Sequence, residues 1–181
     1  MLLFSSAKIS DKRKGFAYLV EACNILSATS PGLCKELGVM ILGKSCEDYT
    51  AIPFPTFVMN YVQDENELSD IYNAADVYVT PSLQDNLPNT VMEALACGLP
   101  CVGFNVGGIP EMIEHRVNGY VSEYKSAKDL ANGVSWVLQE ARYGELEKMS
   151  LEKVRKCYSG EVVVERYLQI YNGLVGKNRE K

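Results

Sequence analysis

Residues 81–110 read PSLQDNLPNTVMEALACGLPCVGFNVGGIP, and this stretch decides the fold because it places two carboxylates, a helix start and a Gly-rich loop directly after an apolar run. Val77, Tyr78 and Val79 form that strand-like run, which Thr80 and Pro81 end. Asn86 to Asn89 make a turn-rich loop in which Pro88 precedes Asn89, a residue type whose side chain accepts from the free N–H groups of a helix start. A helix is predicted from about Thr90 to Cys97, with Gly98 as its left-handed stop and Pro100 preventing continuation. Val91, Met92, Ala94, Leu95 and Ala96 leave this helix almost no polar face, so it is expected to be buried, and Glu93 sits in its middle. A carboxylate in that setting needs a partner.

Asp85 precedes Glu93 by eight residues, which puts one acid in the loop and the other on the first turn of the helix. Between them lie the free N–H groups and the positive end of the helix dipole, which attract phosphate. A phosphate at Asn89 and Thr90, a diol on Glu93 and a second polyol on Asp85 is what a nucleoside-diphosphate sugar requires, since a carboxylate accepts from two vicinal hydroxyls. Compensation of the helix dipole by two acids is the other reading of the same pair.

The stretch resembles the signature of the family 4, or group 1, retaining glycosyltransferases of the GT-B fold. Those enzymes carry an acid, seven residues and a Glu; here the pattern is Asp85-x7-Glu93 followed by EALACGLPCVGFNVGGIPEMI. The family's first acid is usually Glu, so Asp85 is one methylene shorter than the pattern. The resemblance covers nearly the whole chain, as the second half of a complete enzyme whose first half is absent. It implies an α/β fold, a Rossmann-like parallel sheet with helices on both faces, forming the C-terminal half of a GT-B enzyme. Residues 1–181 are then one nucleotide-sugar-binding domain, and helices over 145–176 are expected to reach toward the missing domain.

A length of 181 residues is enough for one domain with a real core, and 47% hydrophobic with 23% charged residues is ordinary for a globular chain. No run approaches the roughly 20 apolar residues of a membrane helix, and the opening MLLFSSAKIS reads as a core strand and not a signal peptide. A net charge of -5 argues against nonspecific nucleic-acid binding. The six cysteines show no CxxC spacing and read as free thiols, which points to the cytoplasm. His115, the only histidine, falls in a stretch similar to the family's solvent turn EDGVNG and is expected on the surface; with no Asp-x-Asp cluster, no metal site or cofactor is expected.

Strand and helix signals alternate along the chain, the pattern of a parallel sheet covered on both faces. Strands are predicted at Leu2 to Ser5, Val39 to Leu42, Phe57 to Tyr61, Val77 to Thr80, Cys101 to Phe104, and Tyr120 with Val121. Helices are predicted at Gly15 to Ala28, Glu65 to Ala75 and Ala127 to Leu138, with two more after Glu145 and fraying at Lys177 to Lys181. Ligands of such sheets gather at the carboxyl ends of the strands. Three loops should meet there: the basic run Lys12, Arg13, Lys14 before Gly15, the Asp85 loop, and Asn105 to Gly108.

The resemblance assigns Lys14, which stands immediately before Gly at the start of the first helix, to the donor's diphosphate. The Arg that the family has a few residues earlier is missing, and Lys8 and Arg13 are the two candidates to replace it. Tyr61 to Asp64 matches the place where the family's backbone reads the base, with Val62 the contact. Asp85 and Lys14 are thus the expected catalytic residues, and Glu93, Asn89, Thr90, Val62, Lys8 and Arg13 the expected donor-binding ones; Glu111 is left out of the site. The implied reaction moves a sugar from a nucleoside diphosphate to an acceptor hydroxyl with retention, in polysaccharide or glycoconjugate synthesis. The acceptor glycan or glycolipid would be held by the missing domain, with peripheral membrane association of the full enzyme and no activity in this half alone. A GT-B nucleotide-sugar epimerase and a non-catalytic nucleotide-binding module are the alternatives.

Overall fold

The computed structural model describes residues 1–44, 49–60 and 62–177. Strands β1 (Leu2–Lys8), β2 (Val39–Lys44), β3 (Thr56–Met59), β4 (Val77–Thr80), β5 (Cys101–Phe104) and β6 (Gly119–Ser122) form one sheet in the order β3-β2-β1-β4-β5-β6. Every neighbouring pair is parallel, and Leu2 is in register with Val39 on one side and Val77 on the other. Helices α1 (Phe16–Thr29), α2 (Glu65–Asn73), α3 (Asn89–Ala96), α4 (Ile109–Met112), α5 (Ala127–Ser135), α6 (Tyr143–Cys157) and α7 (Gly160–Lys177) connect and follow the strands.

Side chains alternate across a strand, so each apolar run feeds two cores. Leu2, Phe4, Val39, Ile41, Val77 and Val79 pack with Leu19, Cys23 and Leu26 of α1 and Leu130 and Val134 of α5. Their neighbours Leu3, Met40, Leu42 and Tyr78 face the other way, against Ile71 and Tyr72 of α2, Val91 and Leu95 of α3, and Ile109 and Met112 of α4. The doubly covered, Rossmann-like sheet is therefore as expected. Burial pushes the Cys23 thiol up to about 12 and the Cys101 thiol well above its ordinary value. Cys23, Cys97, Cys101 and Cys157 are free, while Cys46 lies outside the described residues.

Several boundaries move. β1 runs on to Lys8, with Ser6 Oγ donating to the Lys8 carbonyl at 2.9 Å across an irregular step in the β1–β2 register. β3 begins at Thr56 and ends at Met59; Tyr61, the expected end, lies outside the described residues, as do 178–181 of the expected frayed tail. The basic run Lys12–Lys14 is a 3-10 turn, opened by Asp11, whose side chain accepts from the Arg13 N–H, and closed by left-handed Gly15. The helix after β6 ends at Ser135 and continues as a wide π turn over Trp136–Glu140. The two C-terminal helices begin at Tyr143, slightly before Glu145.

Gly133 marks how tightly α5 lies on the sheet. A methyl group there would sit 2.6 Å from Tyr120 Cδ1 and 2.8 Å from Val102 Cγ1, both side chains of the buried β-layer. Helix propensity alone favours Gly133→Ala by about 1 kcal/mol, whereas overpacking costs about 1–3 kcal/mol. Packing is the larger effect, so urea unfolding of Gly133→Ala is expected to show a net loss of stability; a gain would mean that α5 can lift from the sheet.

Candidate active site at the carboxyl edge of the sheet

The strand order reverses between β1 and β4, where the loops leave toward opposite faces and open a crevice. Gly15 sits in it with φ 69°, and a Cβ there would lie 1.8 Å from the Pro81 carbonyl oxygen. Only a residue without a side chain lets the start of α1 lie against the loop after β4. The Leu83 N–H donates to the Arg13 carbonyl at 2.6 Å, which fastens the two loops together. On the other side the third loop closes in: Cβ atoms on Gly107 and Gly108 would meet the Asp85 and Asn86 carbonyl oxygens at 1.7 Å, and the Gly108 N–H donates to the Asp85 carbonyl.

This packing carries Lys14 to Asp85. Lys14 Nζ and Asp85 Oδ2 form an ion pair at 2.8 Å, with the lysine side chain 35% and the carboxylate 15% exposed. Both line a cleft of about 440 Å³ together with Arg13, Gln84, Asn86 and Leu87. The Arg13 guanidinium is already engaged: Nε and Nη2 reach the two Asp11 oxygens at 2.7–3.1 Å. Those hydrogen bonds hold the Asp11 carboxyl down at about 2 and raise Arg13. Lys8, beyond the irregular step of β1, lines none of these clefts.

A second cleft of about 210 Å³ adjoins β1 and α3 and is lined by Ser5, Ser6, Leu42, Val62, Thr90 and Glu93, among others. Val62 also lines a third, of about 570 Å³, with Asn60, Gln63 and Asp64. α3 departs from expectation at its start: Pro88, φ −65° and ψ 119°, holds the N-cap position, and Asn89 is the first helical residue. Proline offers no side-chain acceptor, so no side chain caps this helix. The Val91 and Met92 N–H groups turn back to the Pro88 carbonyl, and the two before them are left without a side-chain partner. The helix is also less buried than its composition suggests, with Ala96 exposed and Met92 and Glu93 half-buried.

The carboxylate partner that Glu93 demands is Tyr72 of α2, whose phenolic O–H donates to Oε2 at 2.8 Å. Nothing in the motif marks Tyr72; the signal that could have found it is the need of a half-buried acid for a donor on the neighbouring helix. Thus Arg13, Lys14 and Asp85 share one cleft and Val62, Thr90 and Glu93 another, while Lys8 and Asn89 line neither. His115 is exposed, its ring 4.5 Å from that of Tyr120. No group of three or more His, Cys, Asp or Glu side chains close enough for a metal ion occurs among the described residues. Nor, among them, is any helix long and apolar enough to cross a membrane.

Fold and crevice define a doubly wound α/β domain with an anion-suited edge. Residues 1–140 match the family of glycosyl transferases group 1, and the chain belongs to that family. It is 27% identical over 169 residues to an uncharacterized glycosyltransferase of Haemophilus influenzae, an alignment covering 90% of this chain and 45% of that protein. Among solved structures, the C-terminal domain of a glycosyl transferase group 1 family protein, LpcC, of Francisella tularensis superposes with a TM-score of 0.72 at 20% identity, over 88% of this chain and 86% of that one. Anabaena HepE in complex with UDP superposes with a TM-score of 0.75 at 20% identity, over 97% of this chain and 48% of that one. At that identity the two structures speak for the fold. The chain spans about half the length of the full relatives it matches.

The Lys14–Asp85 pair can be tested without any ligand. A double-mutant cycle with Lys14→Met and Asp85→Asn, read by urea unfolding, is expected to give a coupling of about 0.5–1 kcal/mol that shrinks in 1 M NaCl, as befits a pair partly open to solvent. Zero coupling at low salt would show the two side chains apart in solution.

Proposed function

We propose that this chain is the donor-binding half of a retaining glycosyltransferase that moves a sugar from a nucleoside diphosphate to an acceptor hydroxyl. The observation that carries the reading is the presence of two clefts, one with Lys14 and Asp85 on the loop before α3 and one with Thr90, Glu93 and Val62, together with the uncapped start of α3. The base and ribose occupy the second cleft, with Val62 contributing backbone to the base and Glu93 accepting from the ribose. The diphosphate spans the N–H groups of Asn89 and Thr90 and reaches Lys14, while Asp85 meets the sugar. UDP, held by HepE in the same fold, is the first nucleotide to try.

Departure of the diphosphate is the hard step. Lys14 and the positive end of α3 stabilise the charge that develops on it, in a setting fixed beforehand by the glycine contacts. Arg13 reinforces that field where its hold on Asp11 permits; Lys8 stands further off. The acceptor, a glycan or glycolipid, is bound by a first domain that also excludes water on closure, so the 181-residue chain binds nucleotide weakly and transfers nothing. The full enzyme works in the cytoplasm on polysaccharide or glycoconjugate synthesis, with peripheral membrane contact through its acceptor. Residues 145–176 reach toward the first domain. In support, α7 exposes Val164, Tyr167, Leu168, Ile170, Tyr171 and Leu174 at 54–59% each.

Calorimetric titration separates these roles. Glu93→Ala is expected to weaken UDP binding by about 1.5–3 kcal/mol, the range for a hydrogen bond to a charged group; unchanged affinity in a folded variant removes Glu93 from the nucleotide site. Asp85→Ala should leave UDP binding intact or tighter, since it frees Lys14, while abolishing transfer in the complete enzyme. Equal loss of both would overturn this division. At high concentration the chain should self-associate through α7, and replacing Tyr167, Leu168 and Tyr171 by Ser should restore a monomeric elution profile; a wild-type monomer would count against an uncovered helix.

A further inference from the structure

Tyr72 lies on α2, outside the motifs of the site, yet it is 1% exposed and its phenolic oxygen meets Glu93 Oε2 at 2.8 Å. The ring is held from behind by Tyr78 of β4, centroids 6.0 Å apart and 60° between planes. Its hydroxyl has one acceptor among the described residues, Glu93. Among the described residues Glu93 Oε1 accepts no hydrogen bond, and Glu93 itself lines the cleft shared with Thr90 and Val62. One carboxylate oxygen is thus tied inward, and the other has no partner among the described residues.

We infer that Tyr72 is a positioning residue for the nucleotide: by fixing Glu93 Oε2 it aims the remaining carboxylate valence at the ribose, and so sets the preference for ribonucleotides over deoxyribonucleotides. This rests on the reading of Glu93 as the ribose acceptor. Three features support it. A carboxylate on a free side chain would rotate about its last torsion, which is broad and has no strong minimum, and would lose orientation entropy on meeting a diol. A buried phenol that donates to the acid removes that loss in advance. Burial, the largest cause, together with the nearby Tyr78 and Glu93 raises the phenol far above its ordinary value, so it stays protonated and can only donate here. Finally, apolar packing alone would be served as well by phenylalanine; the hydroxyl is the part of Tyr72 that needs Glu93.

The experiment is titration of the 181-residue chain, wild type and Tyr72→Phe, with the four ribonucleoside diphosphates and their 2′-deoxy and 3′-deoxy counterparts. The wild type is expected to prefer the best ribonucleotide over at least one deoxy form by roughly 10-fold or more, the value of a hydrogen bond to a charged group. In Tyr72→Phe that preference should fall about 5-fold, through weaker ribonucleotide binding with deoxynucleotide affinity kept within about 2-fold. Since the substitution removes one oxygen and keeps the ring, the unchanged deoxynucleotide affinity also reports that the site is folded. Equal weakening of ribo and deoxy forms would assign Tyr72 a merely structural role, and a preference undiminished in Tyr72→Phe would overturn the inference outright. A wild type that binds nucleotide without distinguishing ribose from deoxyribose, or binds none, would instead defeat the reading of Glu93 and this inference with it.

Discussion

The reversal of strand order between β1 and β4 is the constraint on which the rest depends. In a parallel sheet every connection returns over one face, and where the order changes direction two neighbouring connections leave over opposite faces. The gap between them must be closed by backbone if it is not to fill with side chains. Here Gly15 against Pro81 and Gly107 and Gly108 against the Asp85 loop do so, and their contacts leave no room for a methyl group. The charged groups of the site are thus carried on backbone segments fixed against each other, and their positions do not depend on long flexible side chains alone.

Electrostatically the edge is self-compensated in the absence of ligand. Lys14 is neutralised by Asp85 and Arg13 by Asp11, so two of the three cations of the run already have carboxylates within hydrogen-bond distance. Pairs this open contribute little to folding. Their effect is to keep a cluster of like charges tolerable, and under the proposed function an exchange of partners at Lys14 would require less rearrangement than assembling a cation from solvent. The start of α3 has no side-chain cap, and under the proposed function its N–H groups would meet the diphosphate.

Much of this was legible in the sequence, for identifiable reasons. The sheet follows from short apolar runs whose alternate residues serve two cores, as Leu2 and Phe4 against Leu3 show, and strand boundaries slipped where hydrogen bonding outruns apolar pattern, as at Lys8 and Thr56. The meeting of Lys14 with Asp85 could be anticipated because motif and strand-end position coincide, and the need of Glu93 for a partner because it sits on an apolar helix. Asn89 misled because capping was inferred from residue type, and Pro88 took the cap by virtue of its fixed φ. The choice between Lys8 and Arg13 depends on a register irregularity within β1, and Tyr72 on a contact between two helices; neither leaves a trace in local composition.

The central place of β1 also has a bearing on how the chain acquires its structure. Within this domain β1 precedes both its neighbours in the chain, so one edge waits for β2 at Val39 and the other, much longer, for β4 at Val77. Until β4 is in place Leu2, Leu3 and Phe4 belong to an apolar ribbon with an open edge, the kind of segment that pairs with the wrong strand. Parallel pairing at such separations is entropically slow. The Val77–Thr80 segment, which borders the crevice, is therefore also the one whose pairing closes the last open edge of β1.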